Sequence, residues 1–162
     1  MNEEFEVSTA AHFKALGHPL RHRLLFALGQ EAATISQLAT SLGTAKGNIA
    51  HHLGVLREAG MVEVTETRQV RGGTEQYYRR TGRRFSFTGE GARQAYATAL
   101  QAAAADLGSA TEPRVNIRNL RLTAAQAAEL ATRLDEIVTG LDDAGPGEAR
   151  YGVVVAVYRP ES

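Results

Sequence analysis

Apolar residues recur at helical spacing through the first sixty residues of the chain. The pattern predicts a short helix over residues 8–16, a second helix that begins at His18-Pro19, and a third that follows Thr34. A proline is tolerated in a first helical turn because its missing N–H has no helical partner there, and His18 is expected to cap that helix. Thr34 and Gln37 have the spacing of a capping box, in which each side chain bonds the other residue's backbone N–H.

A fourth helix is expected over residues 45–59, close behind the third. Gly43 ends the third helix, and Thr44 is expected to cap the fourth. Gly60 stands where a left-handed residue closes a helix. Two short helices joined by a tight, glycine-containing turn form a helix-turn-helix. The apolar positions of the fourth helix are Ile49, Leu53 and Leu56.

A β-hairpin is predicted directly after this motif. Residues 61–64 and 74–80 are expected to form strands, and Arg71-Gly72-Gly73 lies between them. Two adjacent glycines supply the positive φ angles that a tight hairpin turn needs. The hairpin, over residues 62–80, is the wing of a winged helix-turn-helix.

An alanine-rich helix is expected over residues 92–107. Apolar side chains recur along it at spacings of four, three and four residues, which is typical of a coiled-coil seam. We therefore expect this helix to pair with the same helix of a second subunit, and packing on the helix's own domain is a compatible alternative. The interface residues are Tyr96, Leu100, Ala103 and Leu107.

The remaining residues predict a strand-helix-strand extension. A strand over 114–122 contains a bend, Thr123 and Gln126 form a second capping box, and the helix they open leads to a last strand over 151–158. Two strands and one helix cannot cover both faces of that last apolar strand, so a second subunit or the first domain must do so. The fold class is α+β and mainly helical, with a DNA-binding domain over 8–88 and a dimerisation region over 89–162.

Charge changes this picture through its distribution. The formal net charge is zero, yet residues 68–84 contain six arginines and a single acid, Glu75. A compact basic stripe is the electrostatic footprint of a DNA-binding face, and a solvated surface run is the alternative. If four to six of these cations contact phosphates, DNA affinity should fall steeply with salt, with a log–log slope of about −4 to −5.

The fourth helix is expected to be the recognition helix in the major groove. At roughly 100° per residue, Gly47, Asn48 and His51 lie opposite its apolar positions, whereas His52 lies beside the core and is expected to form a hydrogen bond within the domain. Asparagine is a natural bidentate partner of adenine, and a lysine in the first turn suits a phosphate. Arginines of the wing suit the DNA backbone or the minor groove. The residues expected at DNA are Thr44, Lys46, Gly47, Asn48, His51, Arg68, Arg71 and Arg79.

Three stretches resemble the ArsR-type winged-helix regulators over about half of the chain, residues 8–88. The first stretch is Leu16-Gly-His-Pro-Leu-Arg-His-Arg-Leu-Leu, and the second is Leu38-Ala-Thr-Ser-Leu-Gly. The third is Asn48-Ile-Ala-His-His-Leu-Gly-Val-Leu-Arg-Glu-Ala-Gly-Met-Val. The resemblance implies a bacterial or archaeal dimer, usually a repressor, that places the second helix of the motif in the major groove. The two-fold symmetry of such a dimer predicts an operator built as an inverted repeat.

One departure from the family bears on sensing. Many members sense metal or arsenic through cysteines, and this chain has none, which also excludes disulfides and cysteine nucleophiles. His18 and His22 have a usable spacing for zinc, with His12 nearby, but no histidine lies beyond His52. We therefore expect no metal and no cofactor.

Other classes of protein fit the sequence less well. The run from Gly43 to Gly47 lacks the spacing of a phosphate-binding loop, and no serine or histidine has the context of a nucleophile, so an enzyme is not expected. No apolar run is long enough for a membrane span, which predicts a cytoplasmic protein. The alternatives kept open are a winged-helix module that binds protein and a regulator with a small-molecule effector pocket in its C-terminal region.

Overall fold

The computed structural model describes residues 2–29, 31–142, 144–145 and 147–160. The chain divides into two compact units, Met1–Gly108 and Ser109–Ser162, here called unit 1 and unit 2. The sequence places the division between residues 88 and 89. The structure places it later because the alanine-rich helix packs inside unit 1, where Asp106 forms an ion pair with Arg23 at 2.7 Å.

The helices of unit 1 follow the predicted order. They are α1 (Ala10–Ala15), α2 (Pro19–Ala27), α3 (Ile35–Leu42), α4 (Lys46–Glu58) and α5 (Ala92–Leu107). His18 caps α2 as expected, since its Nδ1 accepts from the Leu20 N–H at 3.1 Å. The capping box of Thr34 and Gln37 is confirmed, with both reciprocal hydrogen bonds present. Observed α1 and α4 are shorter than expected by one or two residues at each end.

The wing is confirmed over residues 62–80, and its first strand is longer than the sequence pattern suggests. Strands β3 (Val62–Val70) and β4 (Gly73–Arg80) pair antiparallel, and the short strand β2 (Ala33–Thr34) adds to the other edge of β4. Gly72 and Gly73 have φ angles of 116° and 147° at the turn, which side chains rarely tolerate.

A second, two-stranded sheet in unit 1 was not predicted. Strand β1 (Asn2–Val7) pairs in parallel with β5 (Gly82–Phe87), so the start of the chain runs beside the strand that follows the wing. Phe5 and Phe85 stack across this pair with ring centroids 5.4 Å apart, and Val7 is fully buried. The pairing adds an apolar layer beside the helices.

One apolar core joins the helices of unit 1 to the base of the wing. Its most deeply buried side chains come from α2, α3, α4, the start of β3 and the adjoining turns. They are Leu16, Leu24, Leu28, Leu38, Ile49, Leu53, Leu56, Met61 and Val62. One side of α4 therefore packs against the core, and its other side lies in solvent.

Unit 2 contains the predicted helix and differs from the prediction in its strands. Helix α6 (Ala124–Thr139) begins with the capping box of Thr123 and Gln126, which is confirmed. Within the described part of the unit, residues 114–122 and 151–158 form no strand. A strand exists only through hydrogen bonds to a neighbouring strand, and within one chain these segments have none.

Candidate nucleic-acid interface

The amino end of α4 is open to solvent. Its N-cap residue is Ala45, and no side chain bonds the first-turn N–H groups. The expectation that Thr44 caps this helix is wrong, because the chain enters the helix one residue later. The Thr44 hydroxyl instead accepts from the Asn48 side-chain amide at 3.2 Å. The helix therefore presents uncapped N–H groups and the positive end of its dipole, an arrangement that suits an anion.

The two sides of α4 differ as the helical period predicts. Ile49, Leu53 and Leu56 are at most 1% exposed. Lys46, Gly47, Asn48 and His51 are all exposed. All four α4 residues predicted for DNA contact are thus in solvent, with Gly47, Asn48 and His51 on the side opposite the core and Lys46 in the first turn.

Gly47 has no structural reason within the chain to be glycine. A Cβ at this position would meet nothing within 4 Å, and its φ angle is not in the left-handed region. Glycine in the body of a helix costs about 1 kcal/mol relative to alanine. This loss of helix stability occurs on the outward face of α4, at the end of the helix where Lys46 and Asn48 lie.

His52 is buried, as the sequence suggests, but its expected hydrogen bond is not formed at Nδ1. That atom is buried without a hydrogen-bond partner among the described residues, and the side chain is 6% exposed. The ring instead packs on His18 and His51, with centroids 4.5 and 5.1 Å away. Burial, followed by the nearby cationic groups of His18, Arg21 and His51, lowers the pKa of His52 to about 4. His52 is therefore a neutral aromatic spacer near pH 7.

The outer face of the wing carries acids opposite its basic side chains. A bulge in β3 between Val64 and Glu66 places Glu63 opposite Arg79 and Glu66 opposite Tyr77. Directly opposed residues of an antiparallel pair lie on the same face, so these acids share the face of Arg79. The basic stripe seen in the sequence is partly neutralised in the folded wing.

Arg68 and Arg71 have different surroundings. The Arg68 guanidinium holds both Glu66 carboxylate oxygens, at 2.5 and 2.9 Å, and lies over the Tyr77 ring at 4.6 Å. This ion pair raises the pKa of Arg68 and lowers that of Glu66. Arg71 lies at the exposed tip of the hairpin, where the structure gives its side chain no partner among the described residues. Arg71 is the more available cation.

The arginines at the base of the wing turn partly inward. Arg79 is half-buried, and its Nε is buried without a hydrogen-bond partner in the described chain. The Arg80 guanidinium packs beside Gly29, and its Nη2 donates to the Arg83 carbonyl at 2.6 Å. Burial lowers the pKa of Arg80. Arg80 is therefore not part of an outward basic stripe.

Helix α5 also has one buried and one exposed side. Ala95, Thr98 and Ala102 are buried in unit 1. On the other side Tyr96, Leu100 and Leu107 are 50%, 45% and 44% exposed, and Ala103 is half-buried. The residues predicted for a dimer interface thus form an exposed apolar strip in one copy of the chain.

The histidines considered for zinc have other roles. His18 caps α2, and the His22 Nε2 lies 2.9 Å from the Leu16 carbonyl oxygen. His12 Nδ1 accepts from the Ser8 N–H at 3.4 Å. Across the described ranges, no group of three histidine, cysteine or acidic side chains is arranged to hold a metal ion.

The length and apolar character of the helices show whether any of them could cross a membrane. Among the residues that the structure describes, none of the helices combines the length and the apolar character needed to cross a bilayer.

Sequence reasoning missed three features of this surface. Glu63 and Glu66 act as counter-charges of the wing, His18 and His52 stack between α2 and α4, and the β1–β5 pair adds a second sheet. The β1–β5 pair had a detectable signal, since Phe5 and Val7 alternate with polar residues, as do Phe85 and Phe87. The other two features depend on contacts between distant parts of the chain.

Comparisons with known proteins agree with the helix-turn-helix. A family model described as a helix-turn-helix domain matches residues 16–65. Over 59 residues the chain is 44% identical to the HTH-type transcriptional regulator CmtR of Mycobacterium tuberculosis and of Mycobacterium bovis. This stretch is 36% of the chain and 50% of each relative, so the chain spans about half the length of the curated relatives it matches.

Two solved structures are similar over a larger share of the chain. The transcriptional repressor BigR from Xylella fastidiosa is 29% identical, with a TM-score of 0.36, over 57% of this chain and 81% of that one. A transcriptional regulator homologue from Pyrococcus horikoshii OT3 is 23% identical, with the same TM-score, over 59% of this chain and 87% of that one.

The buried histidine predicts that stability depends on pH. The pKa of His52 is lower in the folded protein than in the unfolded chain, so between about pH 6.5 and pH 4 the unfolded state binds more protons. The stabilising effect of neutral His52 is complete above the unfolded pKa and is lost as pH falls through this window. We expect its contribution to the free energy of unfolding to drop by about 2 kcal/mol between pH 7 and pH 5.

Denaturant unfolding at several pH values measures this effect. His52→Phe should make the profile shallower, because it removes one titrating group and keeps an aromatic ring against His18, while buried His22, whose pKa is also lowered, stays in place. The matched control is His51→Gln, on the exposed face of the same helix, which should leave most of the pH dependence in place. An identical slope in His52→Phe and the unmodified protein would show that His52 is not the group responsible.

Proposed function

We propose that this chain, which carries a winged helix-turn-helix domain of the ArsR type, is a sequence-specific transcriptional regulator that binds double-stranded DNA. The observation that carries the proposal is the division of α4 into a side fixed in the core and an opposite side that exposes Gly47, Asn48 and His51, with Lys46 exposed in the first turn. A surface built to bind protein would centre on exposed apolar or aromatic anchors, and this one is polar. The relatives named above are transcriptional regulators.

Each exposed polar residue at the amino end of α4 has a role in this proposal. Asn48 reads an adenine in the major groove, and Thr44 orients its amide through the observed hydrogen bond. His51, one turn further on, reaches a neighbouring base edge. Lys46 and the uncapped first-turn N–H groups bind a phosphate.

The wing has a smaller role than its arginine count suggests. Arg71 is its main contact with the DNA backbone or the minor groove, because it is exposed at the tip. Arg68 contributes less, since DNA must compete with Glu66 for its guanidinium. Arg79 is a weaker candidate because it is half-buried opposite Glu63.

We also propose that the regulator is a homodimer that represses transcription. The exposed strip on α5 supplies an interface that is self-complementary across a two-fold axis. A two-fold dimer matches an operator with inverted half-sites about one helical turn apart. Repression rests on the family resemblance, and an effector pocket in the C-terminal region stays a prediction.

The first prediction for this function concerns the DNA-contacting side chains. Asn48→Ala should weaken the free energy of binding to an inverted-repeat site from the gene's own promoter by about 1–3 kcal/mol and relax the preference at one base pair.

Arg71→Ala should weaken binding to all sequences to a similar degree. It should also reduce the salt slope by about 1 for each phosphate that Arg71 neutralises. Fluorescence anisotropy across a salt series measures both effects.

The matched control for Arg71→Ala is Arg133→Ala, which removes the same charge from an exposed position of α6 in unit 2. It should leave the affinity unchanged. If Asn48→Ala, His51→Ala and Arg71→Ala all bind as the unmodified protein does at moderate salt, this surface does not read DNA.

A second prediction uses the glycine on the outward face. Gly47→Ala should stabilise the fold by about 0.5–1 kcal/mol, because alanine favours a helix and the space for a Cβ is empty. The same change should weaken DNA binding, since the added methyl group stands between the helix and the DNA. Thermal unfolding and anisotropy measure the two effects separately.

Gly54→Ala is the control for this prediction. It lies on the same helix seven residues later and also has open space for a Cβ. It should give a similar gain in stability with unchanged DNA affinity, because recognition helices contact bases mainly near their amino ends. Equal DNA affinity in the two variants would contradict close approach at Gly47.

The third prediction tests the dimer strip. Leu100→Glu should weaken the dimer by roughly 3 kcal/mol or more, because a two-fold interface receives the unpaired charge twice. Light scattering over a concentration series measures the molar mass. Gln101→Glu adds a negative charge at an exposed neighbouring position away from the strip and should leave the mass unchanged. A monomer mass for the unmodified protein at micromolar concentration would contradict a stable dimer.

A further inference from the structure

Unit 2 contains most of the large apolar side chains that the structure shows as exposed. Thirteen of the eighteen large apolar side chains that the structure shows as exposed lie between residues 115 and 158. Ile117 is 83% exposed, Ile137 63% and Tyr151 85%. Exposed apolar side chains in this number mark an interaction surface when they lie together.

Two backbone segments of this unit also have no partner in the described part of the chain. In the described residues, segments 114–122 and 151–158 form no backbone hydrogen bonds to any other segment. An apolar stretch with free N–H and C=O groups is a template for strand pairing. These segments therefore offer both unpaired backbone groups and uncovered apolar side chains.

The pattern in residues 151–158 requires cover on two sides. In a strand, Tyr151, Val153, Val155 and Val157 point to one face, while Val154 and Tyr158 point to the other. Strands that are apolar on both faces belong to sheets that are buried on both faces. One copy of unit 2 provides a single helix, α6, and so covers one face at most.

Charge indicates what the missing cover is. Residues 114–122 contain three arginines (Arg114, Arg118 and Arg121) and no acid. Helix α6 carries Glu129, Asp135 and Glu136 against one arginine. The unit thus presents a basic segment and an acidic, half-apolar helix. Such a surface is complementary to a second copy of itself related by a two-fold axis.

We propose that unit 2 pairs with unit 2 of a second copy of this chain. In this arrangement residues 151–158 of the two copies hydrogen-bond antiparallel across a two-fold axis. The acidic α6 of each copy packs on the shared sheet near the basic segment of its partner. In the pair, four extended segments and two helices then form one core. In a single copy, two extended segments and one helix form a core of only marginal stability. The inference rests on the proposed homodimer and deepens it, since α5 leads directly into unit 2 at Ser109.

Single-cysteine cross-linking of the full chain tests the pairing. The natural sequence contains no cysteine, so one introduced cysteine can form a disulfide only with the same position of another copy. A series from Gly152→Cys to Val157→Cys should cross-link most strongly at the position nearest the two-fold axis. The yield should fall on either side of it, since a disulfide needs closely approaching Cβ atoms.

The matched control is Thr132→Cys, on an exposed position of α6. We expect the best position of the series to cross-link at least ten-fold more than this control at equal protein concentration. Equal yields along the series and in the control would overturn the inference. So would slow amide exchange of residues 151–158 in a sample that light scattering shows to be monomeric, because that result would place the cover within one chain.

Two further measurements separate this inference from the proposed function. In a Leu100→Glu background the cross-linking maximum should stay at the same position, at the higher protein concentration that the weakened dimer requires, because the pairing has its own contacts apart from the α5 strip. Loss of the cross-linking maximum in that background would contradict a unit 2 contact that is independent of the α5 strip. DNA binding is measured on the same single-cysteine variants in the reduced state. Cross-linking without DNA binding contradicts the regulator and keeps the pairing, whereas DNA binding without cross-linking contradicts only the pairing.

Discussion

Burial of one side of α4 determines which side chains unit 1 presents on the other. Ile49, Leu53 and Leu56 each remove an apolar side chain from water, which stabilises the fold by about 2 kcal/mol per residue. Side-chain directions advance by roughly 100° per residue, so fixing these positions also fixes the directions of Asn48 and His51. A rotation of the helix that moved those two side chains would expose part of the core. The outer surface is therefore as rigid as the packing beneath it.

His52 connects this core to the outer surface. Its ring lies between the His18 ring, at the start of α2, and the exposed His51 ring. Because its pKa is about 4, the ring is uncharged near neutral pH and can stay buried without a counter-ion. A charged side chain in this place would face Arg21 and two further histidines, with no acid among the groups that shift its pKa. The sequence alone shows that His52 lies beside the core, but its aromatic partner comes from another helix.

Local signals predicted most of the helical part of the structure. The two capping boxes, the cap at His18 and the glycine pair of the hairpin each depend on residues a few positions apart, and all are confirmed. The predicted N-cap of α4, Thr44, was one residue too early, because the position of a cap depends on the backbone angles at the start of the helix. The β1–β5 pair joins residues about eighty positions apart. The strands of unit 2 were inferred from an apolar pattern, which gives the tendency to pair but no partner within one chain.

The wing shows why a count of arginines does not measure a basic surface. Six arginines stand in residues 68–84, yet the bulge in β3 brings Glu63 and Glu66 onto the face of Arg79, and Arg80 turns toward the interior. The bulge shifts the register by one residue and has no clear sequence signal, so the neutralisation was invisible from the sequence. A wing with fewer available cations supplies less of the nonspecific, salt-dependent attraction to DNA. Under the proposed function, discrimination between sequences then depends mainly on Asn48 and His51. Affinity depends mainly on the joining of two such helices in a dimer, because each half-site alone has few phosphate contacts.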